Sequence, residues 1–158
     1  MGEYFLLDTD VAIEILRGKS SASAKALADR AGFVGISTIS TCELDFGAER
    51  SRDTQAERFA IMMLTGVVEV LPFDEQASMS AGRLRALLAQ NGTPIGHFDT
   101  LIAGHALALG LTLVTRNVKH FSQVPGLKIA NWSAPHGYSP QAEALPSEAE
   151  ALDAPSGR

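Results

Sequence analysis

Short apolar runs alternate along the chain with longer segments of helical periodicity. The runs EYFLLD, GFVGIS, GVVEVLPF, GLTLVT and GLKIAN show little polar alternation, which is typical of strands buried on both faces. Helices are predicted over residues 10–17, 23–31, 40–50, 54–65, 74–90 and 98–109. Strands separated by helices need crossover connections, so the sequence predicts an α/β fold: a three-layer α/β/α sandwich around a parallel sheet of four to five strands.

Local signals mark several helix boundaries. Thr54 and Glu57 have the spacing of a capping box at the start of the fourth helix. Asn91-Gly92 and Gly110 are predicted to end the fifth and sixth helices, because glycine adopts the left-handed conformation of a helix end at little cost.

Composition limits the chain to one folded domain. Its 158 residues are 46% hydrophobic and include a single cysteine, Cys42, which excludes a disulfide framework and a multi-cysteine zinc site. The N-terminus has no basic region and only a short apolar run. We therefore predict neither a signal peptide nor a membrane span, and we expect a cytoplasmic protein.

Composition and charge change after Trp132. Residues 133–158 are rich in Pro, Ser, Ala and Glu and nearly free of large apolar side chains, which is typical of a disordered tail. Because this segment contains four of the 18 acids and one of the 13 bases, residues 1–132 have a net charge of −2, whereas the whole chain has −5. We predict one folded domain over residues 1–132, whose charge does not exclude a nucleic-acid partner.

Oxygen-bearing side chains lie near the ends of several predicted strands. Asp8 and Asp10 follow the first strand, and Glu43 lies early in the helix after the second. Asp99 opens the helix before the fourth strand, and Asn117 follows that strand. Ligands of parallel sheets bind beyond the carboxyl ends of the strands, so four of these side chains are predicted to converge at one edge: Asp8, Glu43, Asp99 and Asn117. Such oxygen ligands suit a hard cation such as Mg²⁺ or Mn²⁺.

Each of these residues also has a structural explanation. Glu43 has capping-box spacing from a preceding serine, and Asp10 could cap the first helix. Asp99 could complement a helix dipole, and Asn117 could belong to a turn. Asp8 differs, because a carboxylate at the mouth of a buried strand needs a compensating partner and a neighbouring acid raises the cost. Taken together, the five residues favour a functional site.

Three segments resemble the PIN-domain ribonucleases, and most closely the VapC-type toxins of bacterial toxin–antitoxin pairs: LLDTDVAIEIL, ISTISTCELDFGAER and GTPIGHFDTLIAGHALALGLTLVTRNVKHFSQVPGLKIANW. The resemblance extends from residue 4 to residue 132. It places the family's metal-binding acids at Asp8, Glu43 and Asp99. It places a fourth position, which is Asp or Asn in relatives, at Asn117.

Two positions depart from the family pattern. Asp10 stands where Asn is usual and could add a charge to the site. His120 stands where many relatives have an acid, which leaves the role of its side chain open.

The resemblance implies hydrolysis of an RNA phosphodiester that depends on Mg²⁺ or Mn²⁺, with transfer RNA as the first candidate substrate. Asp8 and Asp99 would be direct metal ligands, and Glu43 would be a ligand or would act through a bound water. Asn117 would orient water or the scissile phosphate. The resemblance also implies a homodimer that inhibits growth and is neutralised by a small VapB-type antitoxin encoded by an adjacent gene.

Further residues are assigned supporting roles. Thr115 and Ser37, at strand ends, are predicted to support the metal ligands. His105 is predicted to pack within its helix, and His97 and His120 could border the site. The apolar residues Phe59, Met62, Met63 and Leu64 favour a core or dimer contact. Six cations are candidates for RNA binding, each with a solvated surface charge as the alternative: Arg17, Lys19, Arg50, Arg52, Arg116 and Lys119.

Two other functions remain open from the sequence. Asp8-Thr9-Asp10-Val11 fits the Asp-x-Asp start of haloacid-dehalogenase-type phosphatases, although Ala12 and the Arg116-Asn117 pair depart from that pattern. A PIN scaffold that has lost activity could also bind only a partner, but the intact acids argue against this alternative.

Overall fold

A computed structural model describes residues 2–133 of the chain. Its five strands are β1 (Phe5–Leu7), β2 (Val34–Ser37), β3 (Glu69–Leu71), β4 (Thr112–Val114) and β5 (Lys128–Ala130). They form one sheet in the order β3-β2-β1-β4-β5, and every neighbouring pair is parallel. All five predicted strands and the parallel sheet are therefore confirmed. The predicted tail, apart from residue 133, lies outside the described residues.

Seven helices connect these strands in the described part of the chain: α1 (Thr9–Leu16), α2 (Ser21–Asp29), α3 (Thr38–Glu49), α4 (Thr54–Thr65), α5 (Glu75–Gln90), α6 (His97–Leu109) and α7 (Val118–Phe121). Six of them match the predicted helices, with ends that differ by at most two residues. The exception, α7, was not predicted, because four residues are too few to show a helical period.

Two apolar cores lie on opposite faces of the sheet. Leu7 and Val114 belong to the core that also contains apolar residues of α1 to α4 and Trp132. Leu6 and Leu113 belong to the core formed with α5, α6 and α7. Successive side chains of a strand point to opposite faces of the sheet, so neighbouring residues belong to different cores. The three-layer α/β/α sandwich is confirmed.

Polar side chains at the ends of β1 and β2 cap the helices that follow without a loop. The side chain of Asp8 accepts a hydrogen bond from the Thr9 backbone N–H at the start of α1, so the N-cap is Asp8 and not Asp10. Ser37 caps α3, which places Glu43 in the helix interior and excludes its role in a capping box. The capping box predicted at Thr54 is also wrong, because the preceding aspartate caps α4.

Helices α5 and α6 pack in unusually close contact at Gly104. A Cβ atom at Gly104 would lie 2.4 Å from the Cα atom of Ala81. At the end of α6, Gly110 has φ of 66° and ends the helix in the left-handed conformation, as predicted. Among the helices described, none is long and apolar enough to cross a membrane.

Candidate active site

The predicted site residues come from four elements that meet at the carboxyl edge of the sheet. Asp8 directly follows β1 and Asn117 follows β4, and these two strands are neighbours in the sheet. Glu43 lies in α3, which directly follows β2, and Asp99 lies in the first turn of α6. The predicted convergence is supported by electrostatic coupling, because Asp99 raises the pKa of both Asp8 and Glu43.

Asp8 is a buried carboxylate, with 3% of its surface exposed. Its Oδ1 atom accepts a hydrogen bond of 2.8 Å from the Thr9 backbone N–H, and its Oδ2 atom accepts one of 2.8 Å from Thr115 Oγ1. Burial raises the pKa of Asp8 to about 7, helped by the charges of Asp99 and Asp10 and opposed by the two hydrogen bonds. The predicted supporting role of Thr115 agrees with this contact.

Glu43 is held by a hydroxyl group that the sequence analysis missed. Thr9 Oγ1 donates a hydrogen bond of 2.7 Å to Glu43 Oε1 and also lies 2.9 Å from Ser40 Oγ. Burial raises the pKa of Glu43, as do the charges of Asp99 and Asp10, whereas the bond from Thr9 lowers it. The one available signal was the position of a threonine between two acids in the Asp-Thr-Asp stretch.

Asp99 and Asp10 complete the group of carboxylates. Burial raises the pKa of Asp99, the charge of Asp10 raises it further, and His120 lowers it. Asp10 is exposed but acts on Asp8, Glu43 and Asp99 alike. The departure at Asp10 therefore adds a negative charge to the site, as the sequence suggested.

Asn117 and His120 contact each other. Asn117 Nδ2 lies 2.8 Å from His120 Nδ1, so the side-chain amide and the imidazole ring are within hydrogen-bond distance of each other. The Asn117 backbone N–H donates to Thr115 Oγ1 at 3.0 Å. A chain of hydrogen bonds thus connects Asn117 through Thr115 to Asp8, and His120 contacts the Asn117 amide.

These oxygen donors fit a hard cation that keeps part of its hydration shell. Across residues 2–133, no group of three or more His, Cys, Asp or Glu side chains is placed so that together they could hold a metal ion. Mg²⁺ is commonly held by one or two carboxylates, with waters and substrate phosphates completing the shell. Besides burial, the charges of Asp99 and Asp10 raise the pKa values of Asp8 and Glu43, and a cation held by one or two of these carboxylates would relieve that repulsion.

The structure separates the six candidate RNA-binding cations. Arg17, Lys19 and Arg116 line one pocket of about 410 Å³, together with Asp10 and Asn117. A second pocket of about 240 Å³ contains Arg17, Arg50 and Glu43. Arg52 and Lys119 line neither of these two pockets.

The remaining polar predictions concern His105, His97 and Ser37. His105 is buried in α6, where its Nδ1 atom lies 2.9 Å from Ser37 Oγ and burial lowers its pKa. It is a core histidine, as predicted. Ser37 binds His105 and the Ile39 backbone N–H instead of a carboxylate, so its predicted role beside the metal ligands is not supported. His97 is exposed at the start of α6.

The apolar residues of α4 divide between core and surface. Leu64 is buried, whereas Phe59, Met62 and Met63 are each more than half exposed. Phe46 on α3 is also exposed. These four exposed side chains are called the α3–α4 apolar face below.

Comparison with known proteins agrees with this arrangement. A family model described as PIN domain matches residues 5–127. The chain belongs to the PIN-domain family. This PIN domain is 36% identical over 128 residues to the tRNA(fMet)-specific endonuclease VapC of Salmonella typhimurium, covering 81% of the chain and 97% of that relative. It is 30% identical over 130 residues to ribonuclease VapC2 of Rickettsia felis, again covering 81% and 97%.

A solved structure extends the likeness to three dimensions. One chain of the DNA-bound VapBC complex of Salmonella typhimurium matches with a TM-score of 0.80 and 35% identity, covering 83% of the present chain and 99% of the matched chain. The resemblance to PIN-domain proteins of the VapC type is therefore confirmed. The haloacid-dehalogenase alternative is wrong, since the PIN-domain match includes the Asp8–Asp10 stretch on which that alternative rested.

Proposed function

We propose that this PIN domain is an endoribonuclease that depends on Mg²⁺ or Mn²⁺ and acts as the toxin of a toxin–antitoxin pair. The observation that carries the proposal is the group of four carboxylates at the carboxyl edge of the sheet, of which three have raised pKa values. Perturbed carboxylates gathered at one edge are typical of catalytic sites. Relatives of the chain are named as ribonucleases.

Asp8 and Asp99 would hold the cation, and Glu43 would bind it directly or through a water. When bound, the cation supplies positive charge that lowers the pKa of the attacking water and offsets the charge on the leaving oxygen. Thr115 and Thr9 hold the carboxylates of Asp8 and Glu43 in place. Asn117 orients the water or the scissile phosphate, so the protein needs no nucleophile of its own.

The proposed substrate is RNA, with transfer RNA as the first candidate. The relative from Salmonella typhimurium is named as specific for tRNA(fMet). At 36% identity, the relative supports the type of reaction more strongly than the choice of RNA, because specificity depends on surface contacts outside the carboxylates.

The proposed partners are a VapB-type antitoxin encoded by an adjacent gene and a second copy of the chain. The similar structure from Salmonella typhimurium is a VapBC complex. The exposed side chains of the α3–α4 apolar face support the proposal that a partner covers this surface, since clustered apolar side chains are a feature of interaction sites. The oligomeric state of the purified chain, measured by light scattering, tests the homodimer.

The deciding experiment compares the wild type with Asp99→Asn in a bacterium, with and without the neighbouring small gene. Asn is nearly isosteric with Asp, so the fold should survive while cation binding weakens and the cleavage rate falls by orders of magnitude. Wild type alone should arrest growth, the variant should not, and the neighbouring gene should restore growth. Asp45→Asn is the matched control, because Asp45 is exposed on α3.

Purified protein separates the alternatives. Wild type should cleave RNA only with Mg²⁺ or Mn²⁺, and chelation with EDTA should stop the reaction. Hydrolysis of small phosphate monoesters instead of RNA would contradict the proposal. A protein that binds only a partner would cleave neither substrate, and its effect on growth would not depend on Asp99.

A further inference from the structure

We propose that Arg17, Lys19 and Arg116 form a subsite for an RNA phosphate next to the one that is cleaved. The inference rests on the proposed ribonuclease function and deepens it by assigning three residues to one step of substrate binding. These residues line a pocket of about 410 Å³ at the carboxyl edge of the sheet.

The pocket is continuous with the candidate active site. Asp10 and Asn117 belong to its wall. Asp10 also acts electrostatically on Asp8, Glu43 and Asp99. A strand whose scissile phosphate lies at the carboxylates would therefore have a neighbouring phosphate within reach of this pocket.

Arg116 lies beside a buried acid on one side and is open to solvent on the other. Its Nη1 atom lies 3.7 Å from Glu14 Oε1, and the Glu14 side chain is only 9% exposed. Ser133 Oγ donates a hydrogen bond of 3.0 Å to the other oxygen of Glu14. The Arg116 side chain is 58% exposed, so its guanidinium group can still donate to a bound anion.

Arg17 and Lys19 are presented by the end of α1. Gly18 has φ of 61°, and the Lys19 backbone N–H donates to the Glu14 carbonyl oxygen at 3.0 Å. The turn that carries both cations is thus attached to the residue that holds Arg116. Among residues 2–133, the three ion pairs within 4 Å include neither Arg17 nor Lys19. The pocket wall contains these three cations and two acids, Asp10 and Glu14, so its formal net charge is +1.

Phosphate is the anion that this arrangement suits best. Guanidinium groups bind phosphate oxygens through paired hydrogen bonds, and a lysine ammonium adds a point charge. Three cations beside an acidic site also solve an electrostatic problem, since a polyanion must approach four carboxylates. The acidic side chain of a protein partner is the competing occupant, and the experiment distinguishes it from RNA.

The test measures binding apart from cleavage. Arg17→Gln, Lys19→Gln and Arg116→Gln are each made in the Asp99→Asn background, and binding of a fluorescently labelled single-stranded RNA is followed by anisotropy. Each substitution should weaken binding about threefold or more at low salt and reduce the slope of log K against log salt by about 0.7, the value for one lost phosphate contact. Arg85→Gln, on the exposed face of α5, should change neither quantity.

The outcomes separate this inference from the function on which it rests. Unchanged affinity and salt slope in all three variants would overturn the subsite, even if Asp99→Asn abolishes cleavage. Unchanged RNA binding together with weaker antitoxin binding would assign the pocket to the protein partner instead. If the Asp99→Asn parent binds no RNA and the wild type cleaves none, both the function and the subsite are wrong. Equal melting temperatures show that the variants remain folded.

Discussion

The replacement of Asp8 by Asn should stabilise the metal-free protein, because the native carboxylate is buried without a cation. Burial raises the pKa of Asp8 from 3.8 to about 7, so the folded state binds the proton more tightly than the unfolded state. Stability should therefore fall as pH rises from about 4 to about 7, and it should stay low above that range. Because Asn cannot ionise, Asp8→Asn should not lose this stability as the pH rises.

The magnitude follows from the pKa shift. Each pKa unit corresponds to about 1.4 kcal/mol, so an ionised Asp8 costs the metal-free fold about 4 kcal/mol at pH 8 and less than half of that at pH 5. Asn keeps the acceptor for the Thr9 backbone N–H but presents an amide donor to Thr115 Oγ1, a mismatch that costs about 1 kcal/mol. Asp8→Asn should thus be about 3 kcal/mol more stable than wild type at pH 8 and within about 1 kcal/mol at pH 5.

Urea denaturation in EDTA, followed by the fluorescence of the single tryptophan, Trp132, measures this difference. Asp45→Asn is the control for the same chemical change at an exposed position. Added Mn²⁺ should stabilise wild type but not Asp8→Asn, because binding to the folded state alone adds stability. If Asp8→Asn is destabilised equally at pH 5 and pH 8, Asp8 is a structural anion and the reasoning is wrong.

Three further predictions test positions around the site and the packing beneath it. Thr9→Val should lower RNA cleavage about tenfold, the loss that corresponds to one hydrogen bond to a charged group. It should also move the acidic limb of the pH–rate profile to higher pH, because the bond from Thr9 lowers the Glu43 pKa and its loss raises that pKa. Thr9→Ser should restore both the rate and the pH profile. Gly104→Ala should cost about 2 kcal/mol or more in urea denaturation, since a Cβ there meets the backbone of α5, whereas Gly82→Ala on α5 has open space and should gain up to about 1 kcal/mol. Asn117→Asp should keep cleavage activity and tighten Mn²⁺ binding in calorimetry, and Asn117→Leu should depress activity strongly; equal effects would mean that the fourth position is misplaced.

The fold and the convergence of the acids could be predicted because both depend on local patterns. Apolar runs separated by helices fix a parallel sheet, and all parallel strands end at the same edge. The position of Asp8 directly after the first run therefore placed it in the site. Glu43 and Asp99 followed from the same argument, since each lies near the start of a helix at that edge.

The contacts that orient these side chains could not be predicted, because they join residues distant in the chain. The bond from Thr9 to Glu43 spans 34 residues, and the bond from Thr115 to Asp8 spans 107. Exposure was also hidden from the sequence. Met62 and Leu64 are both apolar and two residues apart, yet one lies in the core and the other on the surface.

The distribution of ion pairs gives an independent argument that a cation belongs at the carboxylates. Within residues 2–133, three ion pairs lie within 4 Å, and each uses an acid outside the site: Asp29, Glu49 and Glu14. Arginine is available nearby but binds Glu14. Structural carboxylates are normally paired when buried, because an unpaired buried charge is expensive. Among the described residues, the hydrogen-bond partners of Asp8 are the Thr9 backbone N–H and the Thr115 hydroxyl, so a proton or an external cation neutralises its charge, and we assign that role to the divalent cation at neutral pH.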